Sequence, residues 1–114
     1  MNFKRKFTLE DRKTESTNIM KKYPSRVPII CERSGETDIP SIDKHKYLVP
    51  RELSLGQFIY VIRRRLKLDA AKGIFLFINN TIPPSMEMMG ILYDNHKDVD
   101  GFLYITYAGE NTFG

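Results

Sequence analysis

Cysteine is nearly missing from this chain, and the single one, Cys31, rules out an internal disulfide and fits a reducing compartment. No apolar run approaches the ~20 residues needed to cross a bilayer. The opening Met1-Asn2-Phe3-Lys4-Arg5-Lys6 carries charge where a secretory leader needs its apolar stretch, so the expectation is a protein that starts in the cytosol. Low-complexity tracts and internal repeats are lacking as well. What remains is an ordinary globular composition, 41% hydrophobic and 28% charged. Cys31, His45 and His96 are scattered without metal-ligand or triad spacing, so neither an enzyme nor a metal or other cofactor is expected.

What is there points to one domain. A chain of 114 residues buries roughly two-thirds of the surface its unfolded form exposes. A net charge of +4 favours acidic partners without saying which. Phe3 and Phe7 lie four apart around Lys4-Arg5-Lys6, the spacing of a short helix with a basic outer face. Thr8 and Asp11 resemble a helix-start cap, and Leu9, Ile19, Met20 and Tyr23 mark a second helix that Pro24 stops. Arg26–Arg33 then alternates as a strand, with Val27, Ile29 and Cys31 on one face and Pro28, Ile30 and Glu32 on the other. Both faces carry apolar groups, so the sheet must be covered on two sides or display an apolar groove. Cys31 reads there as a small buried hydrophobe.

Lys44–Pro50 is a second strand, rich in lysine and ended by proline, which reads as a sheet edge able to accept another chain. Lys46 and Leu48 face one way, Tyr47 and Val49 the other. Ser54 and Gln57 form a capping box before a helix whose apolar positions are Leu55, Phe58, Ile59, Ile62 and Leu66. Arg63-Arg64-Arg65 round its polar side. Without an interleaved aromatic stripe the triplet is a solvated face, and no nucleic acid is expected. Ile74–Ile78 is a continuous apolar run, read as a central strand buried on both faces. Ser85 is placed to cap a short helix bearing Met89, Leu92 and Tyr93, and Asp100-Gly101 turns into the last strand, Phe102–Tyr107. The tail from Ala108 carries no periodicity, reads as lying outside the core, and ends on Gly114, whose carboxylate has no Cβ to hinder an approaching enzyme. The order predicts an α+β fold, a ubiquitin-like β-grasp with two additional N-terminal helices. Its segments are a helical pair over 1–24, the ubiquitin-like domain over 25–107 and a flexible C-terminal tail over 108–114.

Several blocks together carry a specific resemblance: Arg26-Val-Pro-Ile-Ile-Cys-Glu32, Ile42-Asp-Lys-His-Lys-Tyr-Leu-Val-Pro50, Gly56-Gln-Phe58 with Val61-Ile-Arg-Arg-Arg65, and His96 through Tyr107 running to Asn111-Thr-Phe-Gly114. From about Leu9 to Gly114 the chain resembles the autophagy-related protein 8 family, the ubiquitin-like modifiers that include microtubule-associated protein light chain 3. The resemblance implies a non-enzymatic modifier whose terminal glycine is adenylated by an activating enzyme, passed to a conjugating enzyme as a thioester, and joined to the amine of phosphatidylethanolamine. Gly114 would be the acyl donor and Phe113 the side chain read by the processing machinery, including a deconjugating cysteine protease. Relatives often carry residues beyond this glycine; none follow here.

The resemblance also implies docking of autophagy receptors and adaptors through short linear motifs, an aromatic residue, two spacers and an aliphatic residue with acidic flanks. Carried over by position, Glu15, Ile19, Pro28, Ile30, Lys46, Leu48 and Phe102 would line the aromatic pocket. Tyr47, Val49, Pro50, Leu53, Phe58, Val61 and Ile62 would line the aliphatic pocket, and Arg26, Lys44, Lys46 and Arg65 would meet the acidic flanks. Tubulin is a further implied partner of the N-terminal helices, and the chain is expected to be a monomer in solution. The implied locations are the cytoplasm, the autophagosome or a related membrane after lipidation, and in some parasite lineages a plastid membrane. His45 stands where relatives have Arg or Lys, and Leu9 where they have an aromatic. The competing reading is a ubiquitin-like scaffold that binds peptides or tubulin without conjugation.

Overall fold

The computed structural model describes residues 2–110. Two helices lead, α1 (Asn2–Lys6) and α2 (Leu9–Lys22), separated where Thr8 accepts the Asp11 N–H on its Oγ1 at 3.1 Å. That bond satisfies one of the donors a helix start leaves open. Four strands follow, β1 (Arg26–Arg33), β2 (Lys46–Pro50), β3 (Ile74–Phe77) and β4 (Leu103–Gly109), interleaved with α3 (Leu55–Leu66) and α4 (Met89–His96). The element order is the one the sequence predicts. The strands lie in the order β2-β1-β4-β3, with β1 antiparallel to β2 and parallel to β4, and β3 antiparallel to β4.

Alternation divides this sheet into two faces. On the inner face Val27, Ile29 and Cys31 of β1, Tyr47 and Val49 of β2 and Leu103, Ile105 and Tyr107 of β4 meet Leu55, Phe58 and Ile62 of α3 in the main core. The reciprocal capping box at the start of α3 forms as expected, Gln57 N donating to Ser54 Oγ at 3.1 Å and Ser54 N donating to Gln57 Oε1 at 2.9 Å. On the outer face Ile30 and Phe102 pack with Phe3 of α1, flanked by Ile19 of α2 and Tyr104. The two-faced apolar pattern of β1 is therefore met by cover on both sides.

Several local expectations need correction. Ile74–Ile78 is not central: β3 pairs with β4 alone and forms the sheet's second edge, with only Leu76 of the four strand residues fully buried. The apolar run reflects partial cover on both faces at an edge, a pattern periodicity cannot separate from a buried interior strand. After it, Asn79 and Asn80 both take positive φ, 50° and 63°, in a tight turn closed by paired bonds between Ile78 and Thr81. Ser85 does not cap α4, which begins after Met88 with no side-chain cap; Leu53 O and Arg51 O accept the N–H groups of Met89 and Gly90 at 2.7 and 2.9 Å instead. Leu9 and Tyr23 are exposed rather than packed.

The last strand also outruns its expected end. Ala108 and Gly109 are buried in β4 opposite Phe75 and Ile74, and Gly109 N donates to Thr37 Oγ1 at 2.8 Å, so any tail starts after Gly109 rather than at Ala108. Small residues hide their strand role because they carry no period. Gly101, at φ 88°, brings the chain into β4; a Cβ there would stand 2.3 Å from Ser16 Oγ. Phe113 and Gly114 lie outside the described residues. No helix among the described residues is long and apolar enough to cross a membrane.

Candidate functional site

β2 is an edge, and the register of its pairing with β1 sets out the candidate site. Lys46 stands opposite Ile30, Leu48 opposite Pro28 and Val49 opposite Val27. Among the described residues no strand pairs with the outer margin of β2, which lies between α2 on one side and α3 on the other, the arrangement that accepts an added strand.

The residues assigned to the aromatic pocket come together on the outer face. Lys46 Nζ meets Glu15 Oε2 of α2 at 2.6 Å and lies 5.5 Å from the Phe3 ring centroid. Leu48 and Ile19 are half-buried, whereas Pro28, Ile30 and Phe102 are buried. The latter three form a floor and the former two, with the Glu15–Lys46 pair, a rim. Phe3 belongs to this floor and was missed by sequence reasoning: its ring packs edge-on against Phe102 at 5.1 Å. The four-residue spacing to Phe7 flagged a helix but not what it covers, and Phe7 itself is 42% exposed.

The aliphatic set divides in the same way. Tyr47, Val49, Phe58 and Ile62 are inner-face core, with Tyr47 7% exposed and its ring edge-on to Phe58 at 5.5 Å. Pro50, Leu53 and Val61 reach the surface, Val61 at 39% exposure. Tyr47 is thus a wall from behind and not an open anchor. Its hydroxyl is buried without a hydrogen-bond partner among the described residues, and burial pushes its pKa up.

Charge at the rim is partly spoken for. Arg65 holds Asp43 through two bonds, Nε to Oδ1 at 2.8 Å and Nη2 to Oδ2 at 3.2 Å; the hydrogen bond raises the guanidinium pKa and lowers that of the carboxylate. Among the described residues Arg26 and Lys44 enter no ion pair and instead stand over the rings of Tyr23 and Tyr47. An acidic segment arriving here meets two free cations and two, Lys46 and Arg65, that must exchange a resident carboxylate. Cys31 is fully buried and burial raises its thiol pKa, which leaves it a packing residue. His45 Nδ1 faces Cys31 O at 3.3 Å.

Comparison with known proteins decides the family. The model of the Autophagy protein Atg8 ubiquitin like family matches residues 11–114. The chain belongs to the Atg8 family. Autophagy-related protein 8 of Kluyveromyces marxianus is 57% identical over 112 residues, 98% of this chain and 90% of the relative. Autophagy-related protein 8b of Arabidopsis thaliana is 58% identical over 112 residues, 98% of this chain and 92% of the relative. The crystal structure of Trypanosoma brucei ATG8 superposes with a TM-score of 0.92 at 40% identity, covering 96% of this chain and 95% of that one. Plasmodium falciparum Atg8, solved in complex with a Plasmodium falciparum Atg3 peptide, superposes at 0.86 with 32% identity over 94% of this chain and 97% of that one. The fold is that of the Atg8 family, ubiquitin-like with N-terminal helices, and the chain is a ubiquitin-like autophagy protein.

Proposed function

We propose that this Atg8-family chain is a non-enzymatic modifier conjugated through Gly114 to phosphatidylethanolamine, and that its β2 margin docks short peptides bearing an aromatic residue, two spacers and an aliphatic residue. The observation that carries the docking half is the edge position of β2, which leaves one backbone margin unpaired between an outer-face floor of Pro28, Ile30 and Phe102 and an inner-side surface of Pro50, Leu53 and Val61. A peptide strand added there would place alternate side chains toward the two surfaces. Arg26 and Lys44 supply attraction for acidic flanks, each contributing no more than about 1 kcal/mol while solvent-exposed.

Conjugation itself rests on family membership and on the terminal glycine. The Atg3 peptide bound by the Plasmodium relative supports a conjugating enzyme as partner, and the activating enzyme, deconjugating protease, adaptors and lipid follow from the family. The protein would move between cytoplasm and an autophagosomal or related membrane, with the acyl chains of the lipid supplying the anchor. Incubation with activating and conjugating enzymes, ATP and phosphatidylethanolamine vesicles should give a faster-migrating species that Gly114→Ala abolishes; equal lipidation of the variant refutes the role of Gly114. For docking, Leu48→Ala should weaken an aromatic-x-x-aliphatic peptide by roughly thirtyfold, about 2 kcal/mol, in a calorimetric titration. Unchanged affinity would remove Leu48 from the site.

A further inference from the structure

The described chain leaves the sheet at one end. Gly109 closes β4 opposite Ile74, and Glu110 lies against Gly73, where a Cβ would stand 2.0 Å from Glu110 Oε1. Gly114 is four residues further on. An extended chain covers at most about 3.6 Å per residue, so a lipid joined to Gly114 is held within about 14 Å of Glu110. The surfaces that flank Glu110 are therefore brought to the headgroups by the anchor itself.

Two surfaces flank it, and they differ in charge. On one side is the loop after β1, tied to β4 where the Gly109 N–H donates to Thr37 Oγ1 at 2.8 Å; it exposes Glu36 and Asp38, the latter paired with Lys72 at 2.9 Å. On the other is the C-terminal end of α3. Arg63 ties it to the residues before β3, Nη1 donating to Lys72 O at 2.6 Å and Nη2 to Asp69 O at 3.0 Å. Around Arg63, a shallow cavity of about 450 Å³ is lined by Tyr60, Arg64, Lys67, Leu68 and Ala70. Tyr60 is 61% exposed, with the Arg64 guanidinium 5.8 Å from its ring centroid. Among the described residues Arg63, Arg64 and Lys67 enter no ion pair, and the neighbouring Asp69 carboxylate accepts the Ala71 N–H at 3.1 Å. Cations alone would suit many acids. An exposed tyrosine and a half-buried leucine set among them match a water–bilayer boundary, where the ring sits at headgroup level and the charged tips meet anionic lipid. The short tether selects the bilayer, and the difference in charge selects the flank.

We propose that, once Gly114 carries its lipid, the Tyr60–Leu68 end of α3 lies against anionic headgroups of the same bilayer and so orients the domain on its anchor. This orientation rests on conjugation through Gly114, so its test uses two anchors. One is the enzymatic conjugate. The other is a cysteine appended after Gly114 and coupled to maleimide-bearing phosphatidylethanolamine, a route that Cys31, fully buried, does not compete for. If the enzymes give no conjugate, the role of Gly114 falls while the coupled protein still decides the orientation.

The chain has no tryptophan, so single replacements report position. Tyr60→Trp probes the α3 flank and Gly35→Trp the acidic loop, where a side chain meets open space. Ile82→Trp, 55% exposed and just past the turn at the opposite end of β3, probes the far end. On vesicles of phosphatidylcholine with phosphatidylserine, brominated lipid should quench the tryptophan at position 60 and spare the other two. Vesicles of phosphatidylcholine alone, or salt near 1 M, where screening shortens to about 3 Å, should abolish that quenching. In the Tyr60→Trp background, Arg64→Gln and Lys67→Asn, both at exposed positions, should each lower the ratio of quenched to unquenched emission about fivefold, the scale of one cation at an anionic surface. Equal quenching at all three positions, stronger quenching at position 35 than at 60, or quenching indifferent to phosphatidylserine would each overturn the orientation. So would a ratio unmoved in both charge variants.

Discussion

The two faces of the sheet are held by different means. Inside, all four strands, α3 and α4 join an extensive apolar cluster in which Phe58, Ile62, Ile105 and Tyr107 have no measurable exposure. Outside, the buried apolar cluster is Phe3, Ile30 and Phe102, and its lid is the five-residue α1 together with α2. Polar clips make up the difference. Asp100, its side chain fully buried, takes Arg12 Nη1 of α2 at 2.7 Å, the Tyr104 hydroxyl and the Phe102 N–H at 2.9 Å, and its carbonyl accepts Ser16 Oγ at 2.6 Å. Lys4 reaches Asp98 at 2.7 Å and Glu32 takes the Phe3 amide. Apolar area is non-directional and tolerates sliding, whereas these bonds fix where the helices sit. The outer face is thus secured in position more than in depth, and the proposed peptide margin draws on it.

The comparison breaks most visibly in the core. Phe58→Ala should lower unfolding free energy by about 4 kcal/mol, and Phe3→Ala by about 2 kcal/mol, because a short terminal helix can settle into the gap better than α3 can. Urea unfolding of both variants checks this, and equal losses would mean that the outer face is as integral as the inner. Next comes the clip. Asp100→Ala should cost about 3 kcal/mol, since it strands Arg12, the Tyr104 hydroxyl and the Phe102 amide together. A loss no larger than that of an ordinary surface charge would show that apolar contact alone seats α2.

Two smaller effects sharpen the contrast. Tyr47→Phe removes a buried hydroxyl that has no partner among the described residues and should stabilise the inner face by about 1 kcal/mol, read as a rise in melting temperature. A fall instead would mean that the hydroxyl has a partner in solution. The last prediction concerns pH. Partial burial alone would raise the Asp98 pKa, yet the Lys4 hydrogen bond and the Asp100 amide outweigh it and hold it below the ordinary 3.8. A depressed carboxylate contributes stability that is present above the unfolded value and is lost as pH falls through the folded one. The stability gap between wild type and Asp98→Asn should therefore be open above about pH 4 and close below it, by acid titration of unfolding. A gap that persists at low pH would assign the contribution to something other than the charge.

How much of this was legible depended on the range over which each cause acts. The start of α3 could be read because Ser54 and Gln57 are three residues apart, and the two-sided cover of β1 because Val27 through Glu32 alternate within one strand. The edge position of β3 could not, because partner number depends on where distant strands lie, and Ile74–Ile78 looks the same with one neighbour or two. The start of α4 was misread for a related reason: backbone carbonyls of Arg51 and Leu53 do there what a side chain at Ser85 was expected to do. Of the candidate site, the residue types along β2 were readable, while the division of its aliphatic set into buried wall and open surface was not. Tyr47 differs from Leu48 only by which side of one strand it occupies.

By itself the sequence determined the identity and order of the elements, the helix starts that side chains three apart can cap, and the two apolar faces of the first strand, because each of these is decided by neighbours within one turn or one pleat. Only the tertiary structure decided that two edges flank the sheet and that Asp100 anchors α2 across 88 residues of chain. Those outcomes are set by which remote groups arrive together, and no local spacing in the chain records it.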